Sequence, residues 1–230
     1  MHRFFVDPSA MAGDRFPIPA PIAHQVTRVL RMGDGDEITL LDGLGSELRC
    51  RLDGRDCVVL ARSAARGEPT HQLTIWQALL KGDHLEQVVQ HGTEIGVARF
   101  RLFVSDRCVA RDLSSRKLER LQAVAREAAE QSERGVVPPV EAPVSYAAAL
   151  KGAAPGSVLL FERNDTKRLS AMEPPPGVII GPEGGFSPAE MEGAAWAGVA
   201  VAGLGPRILR SETVAVAVAA AILSRTGDFA

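Results

Sequence analysis

From residue 73 onward, short apolar runs alternate with segments of helical periodicity, and this alternation constrains the fold more than any other feature of the chain. Residues 73–80 (Leu-Thr-Ile-Trp-Gln-Ala-Leu-Leu) form a buried-type strand. Residues 83–95 follow, with Leu85, Val88, Val89 and Ile95 on roughly one helical face. A second strand is predicted at 100–104 and a long helix, rich in Ala, Glu and Arg, at 114–133. Three more strands are predicted at 158–161, 178–180 and 199–203, with helical segments between several of them. Strands that are apolar along their whole length and separated by helices build a mainly parallel sheet covered on both faces. The expected class is therefore α/β.

The first 70 residues read differently. Glu37-Ile38-Thr39-Leu40-Leu41 is β-compatible and is followed by the turn signal Asp42-Gly43. Residues 47–52 alternate polar and apolar, Gly54-Arg55 marks another turn, and Cys57-Val58-Val59-Leu60-Ala61 is a third apolar run. A short helix is predicted at 20–32, ending at Gly33. This spacing fits a small barrel of short strands. Residues 64–70 read as a linker, which places a domain boundary near residue 70 and divides the chain into 1–70 and 71–230.

Other readings narrow the functional class. The longest apolar stretch, 214–223, is too short for a bilayer span of about 20 residues. The N-terminus lacks a secretory pattern, and three cysteines without paired spacing suggest reduced thiols, so a cytoplasmic location is expected. The five histidines show no metal-ligand spacing, so no metal is expected. The net charge is −2. Between residues 99 and 126, however, eight basic residues (Arg99, Arg101, Arg107, Arg111, Arg116, Lys117, Arg120, Arg126) stand against three acids (Asp106, Asp112, Glu119), an excess of five. Such a stretch is either a phosphate-binding patch or an ordinary solvated helix face.

In open α/β sheets ligands bind beyond the carboxyl ends of the strands, and three loops there are unusual. The first is Gly181-Pro182-Glu183-Gly184-Gly185-Phe186-Ser187-Pro188. Ser187 is placed to cap a helix, Pro188 to occupy its first position and Glu190 to complete a capping box. The glycines allow close backbone approach, yet the loop matches neither a Walker nor a dinucleotide signature. The second is Leu204-Gly205-Pro206-Arg207-Ile208-Leu209-Arg210-Ser211-Glu212-Thr213. It enters a small-residue apolar helix at 214–224, and an Arg–Glu pair there is the alternative to a ligand role. The third, Phe161-Glu162-Arg163-Asn164-Asp165, has the right position but little specificity.

The first two loops resemble those of the SPOUT class of methyltransferases and, more narrowly, the 16S ribosomal RNA (uracil-N3) methyltransferase family. Similar agreement is found at Arg28-Val29-Leu30-Arg31-Met32-Gly33 with Gly35-Asp36, at Lys81-Gly82-Asp83, and at Thr93-Glu94-Ile95-Gly96-Val97. It continues at Ser105-Asp106-Arg107-Cys108 and at Glu127-Ala128-Ala129-Glu130-Gln131-Ser132, so the likeness spans nearly the whole chain. His84 and His91 depart from it, standing where Lys or Arg is expected.

The resemblance implies a knotted C-terminal domain, a PUA-like RNA-binding barrel at the N-terminus, and a homodimer acting on 16S ribosomal RNA in the small subunit. S-adenosylmethionine would be held by Leu160, Phe161, Gly181, Pro182, Glu183, Gly184, Gly185, Leu204, Gly205, Arg207, Ile208 and Leu209. Arg210 and Glu212 would be catalytic, and Arg3, Arg28 and Arg31 would contact RNA. Two alternatives stay open at this point: a ribose 2′-O RNA methyltransferase of the same class, and a non-catalytic ribosome-assembly factor that binds RNA.

Overall fold

The computed structural model describes residues 2–162 and 167–229. Its contacts divide the chain into two compact units, Met1–Glu68 with Ala129–Val137, and Pro69–Ala128 with Pro138–Ala230. The expected boundary near residue 70 falls between Glu68 and Pro69. The expected contiguous second domain, 71–230, is not found, because residues 129–137 belong with the first unit. Two contacts explain this. Ala129 and Val137 pack with Phe5 and Leu41. Glu68 pairs with the nearly inaccessible Arg134 at 2.7 Å and accepts the backbone N–H groups of Gly135 and Val136.

In the first unit, β1 (His2–Phe5), β2 (Arg15–Pro17), β3 (Glu37–Leu41), β4 (Ser46–Asp53) and β5 (Asp56–Ala64) form one sheet in the order β1-β3-β4-β5-β2. Only the β1–β3 pairing is parallel. Along β4, Leu48, Cys50 and Leu52 are buried and Arg49, Arg51 and Asp53 are exposed, which is the expected period of two. The strands β1 and β2 were not predicted. They are short, and Pro17 confines β2 to the sheet edge. The helix expected over 20–32 is shorter. It comprises α1 (Ala20–His24) and wider π-type turns over Gln25–Val29, and it ends before Arg31, whose φ is 55°.

The second unit holds β6 (Thr74–Ala78), α2 (His84–Ile95), β7 (Arg99–Val104) and α3 (Ser115–Gln131), the last turn of which is grouped with the first unit. It continues with β8 (Val140–Ser145), α4 (Tyr146–Gly152), β9 (Val158–Leu160), β10 (Gly177–Ile180), α5 (Pro188–Trp196), β11 (Ala200–Ala202) and α6 (Ser211–Arg225). The six strands pair in parallel in the order β11-β9-β10-β6-β7-β8. All four residues of β10 are buried, as the long apolar runs required. Neither β8 nor α4 was predicted. The strand β8 lies at the sheet edge, is half exposed and contains Pro143, so it lacks the apolar run of its neighbours. Because β11, β9, β10 and β6 are parallel neighbours, the loops that follow them leave the sheet at the same end.

Candidate active site

Those loops enclose a cavity of about 490 Å³. The loop after β10 is fixed first. The Ser187 hydroxyl accepts the Glu190 N–H at 3.2 Å and the Glu190 carboxylate accepts the Ser187 N–H at 2.8 Å, so the expected capping box is formed. The same carboxylate accepts the Ser105 hydroxyl at 2.7 Å and the Asp106 N–H at 2.9 Å. Ser187 also donates to Asp106 at 2.7 Å. The loop after β7 is thereby tied to the glycine-rich loop. Phe186 packs with Phe103 and Tyr146, and the Tyr146 hydroxyl donates to the Glu190 carbonyl at 2.8 Å. A Cβ at Gly181 would stand only 3.0 Å from the Phe186 ring, so this close approach of backbone to ring favours glycine.

The loop after β11 is joined through Ser211, the first residue of α6. Its hydroxyl donates to the Gly181 carbonyl at 2.6 Å and accepts from the buried Gln77 of β6 at 2.9 Å. Three chain segments thus meet at one hydroxyl, on a residue that lines the cavity.

Of the residues expected to hold a cofactor, Leu160, Phe161, Gly181, Pro182, Glu183, Gly185, Leu204, Gly205, Arg207, Ile208 and Leu209 line this cavity, as do Arg210 and Glu212. Gly184 does not. It faces Arg107, whose guanidinium donates to the Gly184 carbonyl at 3.1 Å. In the third loop Phe161 and Glu162 reach the cavity, while Arg163-Asn164-Asp165 lie outside the described residues.

The Arg–Glu pair considered for the head of α6 is not formed. Glu212 instead faces His84, with Nδ1 3.6 Å from Glu212 Oε2 and 3.6 Å from Glu183 Oε1. Glu183 Oε1 accepts the Lys81 N–H at 3.1 Å. The exposed guanidiniums of Arg207 and Arg210 carry no hydrogen bond or ion pair among the described residues. Sequence reasoning missed Lys81, His84, Phe186 and Ser211 as members of the cavity. The signal for the first two was present, because the loop after β6 leaves the sheet at the same end as the glycine-rich loops.

The basic stretch behaves mostly as a solvated and internally paired surface. Arg99 and Arg101 pair with Glu141, and Arg120 pairs with Glu86. Arg111 bonds the Ser105 carbonyl and Lys117 the Gly82 carbonyl. In the first unit, Arg3 is committed to Glu47 at 3.0 Å, whereas Arg28 and Arg31 are exposed. Among the described residues no cluster of three metal-ligating side chains occurs, and no helix is long and apolar enough to cross a membrane.

The parallel sheet, with glycine-rich loops converging beyond its carboxyl ends, defines an α/β domain built to bind a small ligand. Residues 66–223 match the RNA methyltransferase domain family. The ribosomal RNA small subunit methyltransferase E of Bacillus subtilis is 32% identical, over 98% of this chain and 97% of its own. Its counterpart from Synechocystis is 32% identical over 92% of this chain and 74% of its own. The crystal structure of a ribosomal RNA small subunit methyltransferase E from Neisseria gonorrhoeae, bound to S-adenosyl methionine, superimposes with a TM-score of 0.87 at 29% identity, covering 98% of each chain. A putative methyltransferase from Legionella pneumophila with bound cofactor gives 0.82 at 26% identity and 97% coverage of each chain. The chain belongs to the ribosomal RNA small subunit methyltransferase E family of RNA methyltransferases.

Proposed function

We propose that this protein transfers a methyl group from S-adenosylmethionine to N3 of a specific uridine in 16S ribosomal RNA of the small subunit. One observation carries the reading. In a chain of this family, two glycine-rich loops distant in sequence close around a single cavity of a size suited to a nucleoside-type ligand.

The cavity fits the cofactor. Gly181, Pro182, Glu183, Gly185, Leu204 and Gly205 bring the main chain to its wall, and Leu160, Phe161, Ile208 and Leu209 supply apolar surface for an adenine. Gly184 supports the loop from outside by accepting the Arg107 bond. When bound, the cofactor supplies an electrophilic methyl carbon. The chain's own task is to make the base a nucleophile. Uracil N3 carries a proton, so anionic character on the base needs support from fixed donors. Arg210 is suited to this, since its planar guanidinium, without a partner among the described residues, lies at the cavity wall and can face base oxygens. Glu212 lines the same cavity, has one carboxylate oxygen without a hydrogen-bond partner among the described residues, and is the candidate proton acceptor.

The finer reading extends to the rest of the chain. The first unit serves as a PUA-like RNA-binding barrel in which Arg28 and Arg31 meet phosphates, and Arg3 plays a lesser part because Glu47 neutralises it. The second unit carries a trefoil knot. The partly exposed apolar residues of α6, Val214, Val216, Ala217 and Ala220, form the homodimer interface. The protein works in the cytoplasm, and the chemistry calls for no metal. Calorimetric titration with S-adenosylmethionine tests the cofactor site, with saturable binding as the expected result. Absence of binding by folded protein would overturn the reading.

A further inference from the structure

Residues 75–80 read Ile-Trp-Gln-Ala-Leu-Leu, and Gln77 is the one non-hydrophobic residue among them. It is completely buried and stands beside Ile180, the last residue of β10, in the parallel register. Its amide therefore lies where the glycine-rich loop leaves the sheet. Nε2 donates to the Ala78 carbonyl at 3.2 Å and to the Ser211 hydroxyl at 2.9 Å. Oε1 is buried without a hydrogen-bond partner among the described residues. An amide buried with its oxygen unsatisfied costs stability that an apolar side chain would not.

What the amide supplies is direction. Because Nε2 presents an N–H to Ser211, the hydroxyl accepts there, and its single proton is left for the Gly181 carbonyl at 2.6 Å. The peptide between Gly181 and Pro182 has no N–H, so that carbonyl is its only hydrogen-bonding group and the bond fixes its plane. Ser211 itself stands between Arg210 and Glu212. The head of α5 is held by its capping box, whereas Arg210, the N-cap of α6, makes no side-chain capping bond among the described residues. We propose that Gln77 and Ser211 are positioning residues for methyl transfer, forming a relay that locks the head of α6, with Arg210 and Glu212, against the cofactor loop at Gly181. The inference rests on the reading of this cavity as a methyl-transfer site.

The test compares wild type, Ser211→Ala, Ser211→Thr, Gln77→Met and the double variant Gln77→Met/Ser211→Ala. Single-turnover methyl transfer to small ribosomal subunits lacking the modification, cofactor affinity by calorimetry and urea melts are measured for each. Ser211→Ala should slow transfer by about 10²-fold, the cost of misplacing a reacting group by about 1 Å. Cofactor affinity should fall far less, because many other groups line the cavity. Ser211→Thr, which keeps the hydroxyl, should recover most of the lost rate. Gln77→Met should slow transfer by about tenfold, the size of one neutral hydrogen bond, yet melt at the wild-type urea midpoint or above it. The double variant should be no slower than Ser211→Ala, since both changes break one relay. Wild-type transfer rates in both single variants would overturn the proposal. So would losses that multiply in the double variant, or a markedly lower urea midpoint for Gln77→Met, which would make the amide structural. A folded wild type that transfers no methyl group would overturn the methyl-transfer reading and this assignment with it, whereas an active wild type with unaffected variants overturns this assignment alone.

Discussion

Two helices enter this domain from glycine-rich loops, and each carries a glutamate in its first turn. At the head of α5, Glu190 is almost inaccessible and its oxygens accept from Ser105, Asp106 and Ser187. At the head of α6, Glu212 is largely enclosed, yet one of its oxygens has no hydrogen-bond partner among the described residues, and the His84 ring nitrogen lies 3.6 Å from it. The helix dipole favours a carboxylate at either place. The difference lies in satisfaction. A buried carboxylate with both oxygens engaged holds architecture together. One left partly unsatisfied beside a cavity is held ready for a ligand or a proton.

The sharpest way to break this comparison is at the open head of α6. Replacing Arg210 with Ala should lower single-turnover methyl transfer by about 10²–10³-fold, the usual effect of removing one donor to developing negative charge. Cofactor affinity measured by calorimetry should change little. Turnover at the wild-type rate would remove Arg210 from the chemistry.

The next effect belongs to the closed head of α5. Glu190→Ala should cost about 3 kcal/mol in a urea melt, because it strands several buried donors at once. Glu212→Gln should cost well under 1 kcal/mol in the same measurement, since it removes no satisfied bond. Equal losses would erase the distinction drawn here.

A smaller effect is expected at Gly181. An added Cβ would press on Phe186 at 3.0 Å, and overpacking of this kind costs roughly 1–3 kcal/mol. Gly181→Ala should weaken cofactor binding about tenfold, as read by calorimetry, in line with the lower half of that cost. The smallest effects concern RNA. Arg28→Ala and Arg31→Ala should each reduce the salt dependence of RNA binding by about one phosphate contact, whereas Arg120→Ala should leave it unchanged, since that charge is answered by Glu86.

Much of this was legible in the chain before any coordinates. The capping box at Ser187 and Glu190 follows from local chemistry, and the central strands follow from unbroken apolar runs. The edge strand β8 and the short strands β1 and β2 were not legible, because half-exposed or proline-containing segments carry no strong period. The return of residues 129–137 to the first unit depends on packing with Phe5 and Leu41, which local pattern does not encode. Within the site, the loop residues were readable and their mutual bonds were not. Ser211 joining Gln77 to Gly181 spans 134 residues on one side and 30 on the other. The basic stretch shows the opposite failure. Its charge was plain in the sequence, but the carboxylates and backbone carbonyls that engage most of these side chains were visible only in three dimensions.

The central claim is methyl transfer to the pairing edge of one uracil, and a single measurement addresses it directly. Small ribosomal subunits from cells lacking the modification would be incubated with the protein and labelled S-adenosylmethionine, and the RNA mapped by primer extension. An N3 methyl should halt reverse transcriptase at one new position in 16S ribosomal RNA, and this is the predicted result. Label without a stop would point to a ribose methyl, and cofactor binding without any label would point to an assembly factor; either would contradict the account.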